Sequence, residues 1–445
     1  MVRLAQTVEA AFEVESTYGD PPGTALTHLG LLDTFDPRAV EMNITPVASI
    51  GQSTDAHHAA GPIAVTLPLK VACQGTGWQQ LLGRAIGSTT EYGSTKSPSK
   101  LTTTADSLAV LARDTAGDYT LVTGVVPNEV TLEADYTTGG YITLDSQCTA
   151  FYTQDDSDAN FSGFLQPDGG GGSDYSAVAW PSPPTSDPLL PSDLVVSYST
   201  ATTNGISIDR PAGHYVEVGE RYMKIFDTSG TLDSGYALAD HAAIVNNGVI
   251  DLDHTDTEDI SELATVLNAG VTSSATANAG SANPQNLLKG IYKMIGSDVA
   301  IPVVNDADET LTAFNNIKTV SLKIANNNMP VPARTLGQDA STIKWLQHSK
   351  MRRGKADITL DITMTAENED LYDIYRGDTN NGIIPLVRLD LGTNGSIALT
   401  NGTITSFSRP VTAGGETTET VSIKFRGNGD FLNYSAYAIS ADWSL

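Results

Sequence analysis

The sequence predicts a mainly β protein: two tandem, homologous β-sandwich or barrel domains, each with a short flanking helix, plus an inserted region. Three observations carry that prediction. A strand pattern occurs twice, a helix pattern follows each copy at the same distance, and turn residues recur between them. Gly61 to Ala72 aligns without a gap to Gly354 to Thr365, 293 positions later. In that alignment Ile63, Val65, Leu67, Leu69 and Val71 answer to Ala356, Ile358, Leu360, Ile362 and Met364, the alternation of a strand with one buried face. At the same offset Trp78, Leu81 and Leu82 answer to Leu371, Ile374 and Tyr375, and the i, i+3, i+4 spacing predicts one face of a short helix in each copy. Turn signals recur at Asn394-Gly395, Asn401-Gly402 and Gly427 to Gly429. Strand and helix matching in one frame point to an internal duplication.

Taken along the chain, residues 1–36 read as an extended N-terminal arm, punctuated by Gly19, Pro21, Pro22 and Gly23. Residues 37–154 form the first β domain. Within it, Pro46-Val47 resembles Pro330-Val331 of the second copy, and Tyr141 to Leu144 resembles Thr420 to Ile423 at an offset of 279. Glycine and proline runs at Pro167 to Ser173 and Pro181 to Pro191 then mark a boundary. Residues 155–305 are expected to be an insertion between the copies or an additional small domain. It carries strands at Leu194 to Tyr198 and His214 to Val218, and helices at Asp256 to Leu267 and Pro284 to Met294. Residues 306–445 form the second β domain, opening on the strand Val320 to Ala325.

Composition narrows the function classes. The 445 residues carry 52 carboxylates (36 Asp, 16 Glu) against 25 Lys plus Arg, a formal charge of −27. Such a surface repels nucleic-acid phosphates and anionic lipid. Asp-rich, Lys-poor surfaces suit a salt-saturated cytoplasm, where screening shortens to a few ångströms and self-repulsion becomes tolerable, so a halophilic host is expected. Met1 to Glu13 has no continuous apolar segment of a signal peptide, and no apolar run is long enough to span a membrane. The expected product is soluble and made in the cytoplasm. The sequence does not say whether Cys73 and Cys148 pair; two buried free thiols is the simpler arrangement, because disulfide scaffolds use more cysteines in smaller domains.

No catalytic, cofactor-binding or metal constellation emerges. A nucleophile elbow, a phosphate-cradling loop and paired-histidine metal motifs are all missing from the sequence. His57-His58 reads as a solvated loop pair. Asp251, Asp253, Thr255 and Glu262 fit a calcium-loop spacing, but Asp256 stands where the sharp turn needs glycine. Gly377 of Arg376-Gly377-Asp378 reads as a helix cap. One local departure remains: Lys344, Lys350, Arg352, Arg353 and Lys355 concentrate positive charge on a loop before the second duplicated strand. Either this loop is simply solvated, or it is a basic finger that docks on the acidic surface of a neighbouring subunit.

The stretch Glu15 to Thr24, the later Leu29-Gly30 and the strand, helix, paired-strand order of each copy resemble the tail tube (major tail) proteins of long-tailed viruses. With the acidity, the resemblance points to a virus of a haloarchaeon. It implies a β-sandwich flanked by a helix, whose inner sheet joins those of its neighbours into a ring around a channel, with rings stacking into a tube. Six domains per ring would need three chains of this kind. The stacking loop would correspond to Gly51 to Gly61 and Gly337 to Gly354, and the strands near 62–73 and 355–366 would line the lumen, with Lys70, Asp357 and Asp361 as candidates. Implied partners are further copies of the chain, other tail proteins such as the tape measure, baseplate and tail terminator, and viral DNA in transit without specific binding. No cofactor and no membrane are implied. The location would be the virion tail, assembled in the host cytoplasm. Rival classes are a halophilic cell-surface or adhesion protein, and a hydrolase or lyase working between β domains.

Overall fold

The computed structural model describes residues 8–15, 26–35, 40–47, 57–86, 107–113, 119–150, 152–155, 180–199, 202–219, 221–237, 240–269, 274–294, 298–304, 311–332, 348–352, 354, 356–366, 370–377, 382–410, 417–425 and 439–442. The architecture is mainly β, in large antiparallel sheets with three α-helices among the described residues.

In the N-terminal repeat the strands are β1 (Glu9–Val14), β2 (Thr27–His28), β3 (Leu32–Phe35), β4 (Val40–Val47), β5 (His57–Ala72), β6 (Leu108–Arg113), β7 (Tyr119–Asp135), β8 (Thr143–Ala150) and β9 (Tyr152–Asp155). Helix α1 (Gly77–Ile86) follows β5. Next comes β10 (Val195–Ser199), and then a module of β11 (Thr202–Asp209), β12 (Tyr215–Val218), β13 (Tyr222–Phe226), β14 (Ile244–Asn246), β15 (Val249–Asp251), helix α2 (Ile260–Ala269), β16 (Ser274–Ala277), β17 (Gly290–Lys293) and β18 (Asp298–Val304). The chain finishes with β19 (Thr312–Ala313), β20 (Ile317–Ala325), β21 (Met329–Pro332), β22 (His348–Arg352), β23 (Asp357–Thr365), helix α3 (Asp370–Arg376), β24 (Ile383–Asp390), β25 (Ser396–Ser408), β26 (Thr418–Phe425) and β27 (Ile439–Asp442).

Alternation makes the duplicated strands. Val65, Leu67, Leu69 and Val71 of β5 are at most 1% exposed, and Ile358, Leu360, Ile362 and Met364 of β23 at most 5%. The neighbours match as well. Side by side, the N-terminal repeat runs β4, β5, β8, β7, β6, β1, β2, and the C-terminal repeat runs β20, β23, β26, β25, β24, β10, β19. Even irregularities recur. The bulge of β7 between Pro127 and Glu129 has its counterpart in β25 between Ile404 and Ser406. Just before each bulge the long strand turns a corner on a left-handed residue, Gly124 (φ 64°) in one repeat and Asn401 (φ 55°) in the other.

Several expectations are corrected by these pairings. Residues 1–36 are not simply an arm, because β1 pairs with β6 and β3 with β5, inside the first repeat. Strand β10 pairs with β24, so the C-terminal repeat begins before the module and not after it. The module therefore sits inside that repeat, between β10 and β19, at the place where β1 connects to β2 in the other copy. Leu67 lies opposite Cys148 and Leu360 opposite Ile423, which makes Cys148, not Leu144, the counterpart of Ile423. The two patterns differ by a shift of four residues, and an even shift leaves the buried face unchanged. Pro284 opens only a 3-10 turn (Pro284–Asn286), not a helix to Met294, because Gly290–Lys293 pairs with β12.

One apolar cluster runs from Ala10 to Phe425 through both repeats, with Trp78, Leu81 and Leu82 of α1 at its centre. The module has its own cluster around Ile206, Val216, Ile225, Ile250, Leu263 and Ile301. Helix α1 comes so close to the chain that a Cβ on Gly77 would stand 2.9 Å from the His28 and Leu29 carbonyl oxygens. Cys73 and Cys148 are buried free thiols. Six residues of strand separate Cys73 from Leu67, the partner of Cys148, so about 20 Å of extended chain keeps the two sulfurs apart.

Candidate functional site

The two repeats are joined edge to edge. Strand β7 pairs antiparallel with β20 from Glu129 opposite Ala325 to Asp135 opposite Thr319, which merges both sheets into one. The apolar side of this seam is closed by Val130, Leu132, Val320, Leu322 and Ile324, all at most 2% exposed. Polar groups clamp its end: the Asn326 N–H donates to the Asn128 carbonyl (2.7 Å), and the Asn328 side-chain amide to the Pro127 carbonyl (2.9 Å). Sequence analysis missed this seam.

The opposite side of the joined sheet is polar and continuous across the seam. One row of directly facing residues runs Lys70, Asp145, Thr131, Lys323, Thr359, Lys424, crossing five strand pairs and both repeats. Lys70, Asp357 and Asp361, the lumen candidates, all lie on this face. Lys70 Nζ stands 3.9 Å from carboxylates of both Asp33 and Glu133, and Lys424 Nζ stands 2.7 Å from Asp357. The Asp361 carboxylate accepts a hydrogen bond from the Ser422 hydroxyl. Lys323 and Glu129 pair across the seam at 2.7 Å. The Lys323–Glu129 and Lys424–Asp357 ion pairs are solvent-exposed and each contributes less than about 1 kcal/mol, so they tune the charge of the face and do not hold the sheet together.

Of the basic cluster, Lys344, Arg353 and Lys355 lie outside the described residues. Lys350 and Arg352 are on strand β22, hydrogen-bonded to β21 opposite Val331 and Met329, and not in a loop. His57 and His58 likewise open strand β5 opposite Val47 and Pro46. Both corrections have one cause, because each duplicated strand is prolonged by a hairpin that polar sequence disguises. Pro46-Val47 faces residues 58 and 57 as Pro330-Val331 faces residues 351 and 350, so the hairpins correspond.

Other motifs resolve into local structure. Gly377 ends α3 with φ 83°, its N–H donating to the Ile374 carbonyl at 2.9 Å. The Asp251 carboxylate accepts two bonds from the Arg221 guanidinium, at 3.1 and 3.0 Å, and Glu262 accepts the Glu258 N–H. The calcium-loop carboxylates thus serve other partners. No group of three metal-ligating side chains occurs among the described residues. Burial pushes the Cys73 thiol well above its ordinary range and the Cys148 thiol up to about 12, so neither is poised as a nucleophile.

The seam also defines what is open. By the strand correspondence, the free edge of β25 at Thr405 to Ser408 matches the edge of β7 that meets β20. The outer edge of β3 and β4 matches the edge of β20 that meets β7. Among the described residues neither edge has a strand partner. Side-chain exposure follows suit: Val130 is buried whereas its counterpart Phe407 is partly exposed. Gln79 and Leu82 of α1 are buried at the seam, yet the matching Tyr372 and Tyr375 of α3 are 36% and 45% exposed. Those two rings flank Phe407, with centroids 5.4 and 6.0 Å from it. Tyr375 therefore does not share the buried face that its spacing predicted.

No family model matches the chain, and no curated protein matches it. Among solved structures, one described as the virion of a native gene transfer agent (GTA) particle is similar at 12% identity and a TM-score of 0.22, over 30% of this chain and 88% of that one.

Proposed function

We propose that this chain is a structural protein of a virion tail, in which three copies close into a pseudo-sixfold ring and rings stack into a tube that conducts DNA. The observation that carries this reading is the seam between β7 and β20. Two homologous repeats are already tiled side by side in one sheet, and among the described residues the same two edges have no strand partner at its ends. An interface whose two sides differ closes into a ring or runs on as a filament. The polar face of the joined sheet would line the bore, where Glu129, Glu133, Asp135, Asp145, Asp357 and Asp361 outnumber Lys70, Lys323 and Lys424 and so deny DNA a binding minimum. The tape measure, baseplate and tail terminator are the partners proposed from the same reading, with virion location and assembly in the host cytoplasm. The role is assembly and conduction, without catalytic turnover.

Electron microscopy of the purified protein at high salt tests this. Stacked rings with an open bore are the expected outcome. Dispersed monomers at all concentrations, or a closed twofold dimer, refute it.

A further inference from the structure

We infer that the free edge of β25 pairs antiparallel with the outer edge of β4 on a second copy of this chain, setting Ser406 opposite Glu41 and Phe407 opposite Val40, with the α3 tyrosines beneath the contact. The inference rests on the ring reading and fixes its register.

Register comes from the seam inside the chain. There Glu129 faces Ala325 and Val130 faces Ile324. Pairing within each repeat supplies the equivalences. Ser406 faces Ser422 on β26 as Glu129 faces Gln147 on β8, and Phe407 faces Val421 as Val130 faces Ser146. Likewise Val40 faces Val65 on β5 as Ile324 faces Ile358 on β23, one residue before the Glu41–Ala64 and Ala325–Asp357 pairs. Substituting equivalents into the seam gives Ser406 with Glu41 and Phe407 with Val40.

Side-chain exposure is an independent observation. Helix α1 reaches across the seam to touch β20, and the Gln79 side-chain amide donates to the Asn394 carbonyl of the other repeat at 2.9 Å. Helix α3 occupies the matching place beside β25, and there Tyr372 and Tyr375 remain 36% and 45% exposed. Its Tyr372 and Tyr375 form with Phe407 an exposed aromatic cluster, flanked by the Arg376 and Arg409 guanidiniums at 5.7 and 5.6 Å from the rings of Tyr372 and Phe407. Aromatic clusters with arginine at the rim are what buried interface centres are made of. At the opposite end Phe35 and Leu32 are only partly covered, whereas Val320, the counterpart of Phe35, is 2% exposed. A second copy brings the missing cover to both ends at once.

Cysteine cross-linking tests the register. Directly opposed strand residues lie within disulfide reach, and the native thiols are buried. In full-length protein carrying Glu41→Cys and Ser406→Cys, mild oxidation of assembled particles should convert most monomer into covalent oligomers that stop at one closed size on non-reducing gels. Asp33→Cys with Ser406→Cys, out of register, should cross-link at least about tenfold less. Hydrogen exchange on the unsubstituted protein is the second measurement, with amides at 405–408 and 40–41 expected to exchange at least about tenfold more slowly in particles than in dissociated subunits. Rings that form without a disulfide between the two introduced thiols and without that protection overturn the inference while leaving the ring reading standing. Efficient cross-linking of Ser406→Cys alone, the sign of a twofold contact, overturns it too. Absence of rings in the unsubstituted protein sinks the ring reading itself.

Discussion

Removing Leu322 should cost far more than removing its neighbour Lys323, although Lys323 makes the visible ion pair across the seam. Leu322 is 1% exposed and stands between Leu132 of β7 and Leu360 of β23, both buried. Leu322→Ala deletes three carbons, which at about 0.8 kcal/mol each gives about 2.4 kcal/mol of lost transfer energy. A cavity between the buried Leu132 and Leu360 of the flanking strands relaxes little, so the total should fall in the range of about 2–5 kcal/mol. The Lys323–Glu129 pair at 2.7 Å is 46% and 38% exposed at its two side chains, and Lys323→Ala should cost less than about 1 kcal/mol, and less still at molar salt. Urea unfolding at fixed high salt, followed by circular dichroism, measures both. Equal losses for the two variants, or a Leu322→Ala loss below about 1 kcal/mol, would falsify the view that an apolar seam welds the repeats into one cooperative body.

The module should be removable. Thr203 and Val303 face each other on β11 and β18, so replacing 204–302 by a two-residue Asn-Gly turn should leave the circular dichroism and cooperative unfolding of the remaining body intact; loss of folded protein would refute its independence. Both thiols should resist iodoacetamide in native protein and react once it is unfolded, and rapid native labelling would contradict the burial of Cys73 and Cys148. Burial lowers the His28 pKa below 6.5, only partly countered by the Glu9 carboxylate, and its Nδ1 accepts the Gly30 N–H at 2.9 Å. Its contribution is therefore complete above pH 6.5 and lost as pH falls below that value, because the unfolded chain takes up a proton that the folded chain resists. His28→Ala, which copies Ala313 of the other repeat, should make the acid-side decline of melting temperature shallower; an unchanged slope would contradict this.

What the sequence could tell depended on how far each signal reaches. Leu67 and Leu360, with Trp78 and Leu371 after them, were legible because alternation and helical spacing are local and strong. Register between strands was not, since moving β8 by four residues keeps Leu144, Ser146 and Cys148 facing inward. Strands β1, β2 and β19 are short and gain their identity only from partners far along the chain, so Glu9 to Val14 read as an arm; Leu194 to Tyr198 is legible as a strand, but its place beside β24 in the C-terminal repeat is not. The lumen candidates Lys70, Asp357 and Asp361 could be placed on one face by parity alone. The basic cluster could not be read this way, because Lys350 and Arg352 owe their strand to hydrogen bonds with Met329 to Val331. The exposed partners of the seam, Phe407, Tyr372 and Tyr375, look like ordinary core residues until Val130, Gln79 and Leu82 show what covers such positions.

Because both flanks of the β7–β20 seam belong to one polypeptide, its residues are free to specialise. Asn326 and Asn328 grip the Asn128 and Pro127 backbone there, whereas Met42 and Ile44 occupy the matching positions of the N-terminal repeat. A protein with a single repeat has no such licence, since each of its edges must serve every contact it makes. Gene doubling thus converts one head-to-tail joint into two that can be adjusted separately: one folded within the molecule and, in the proposed ring, one between molecules.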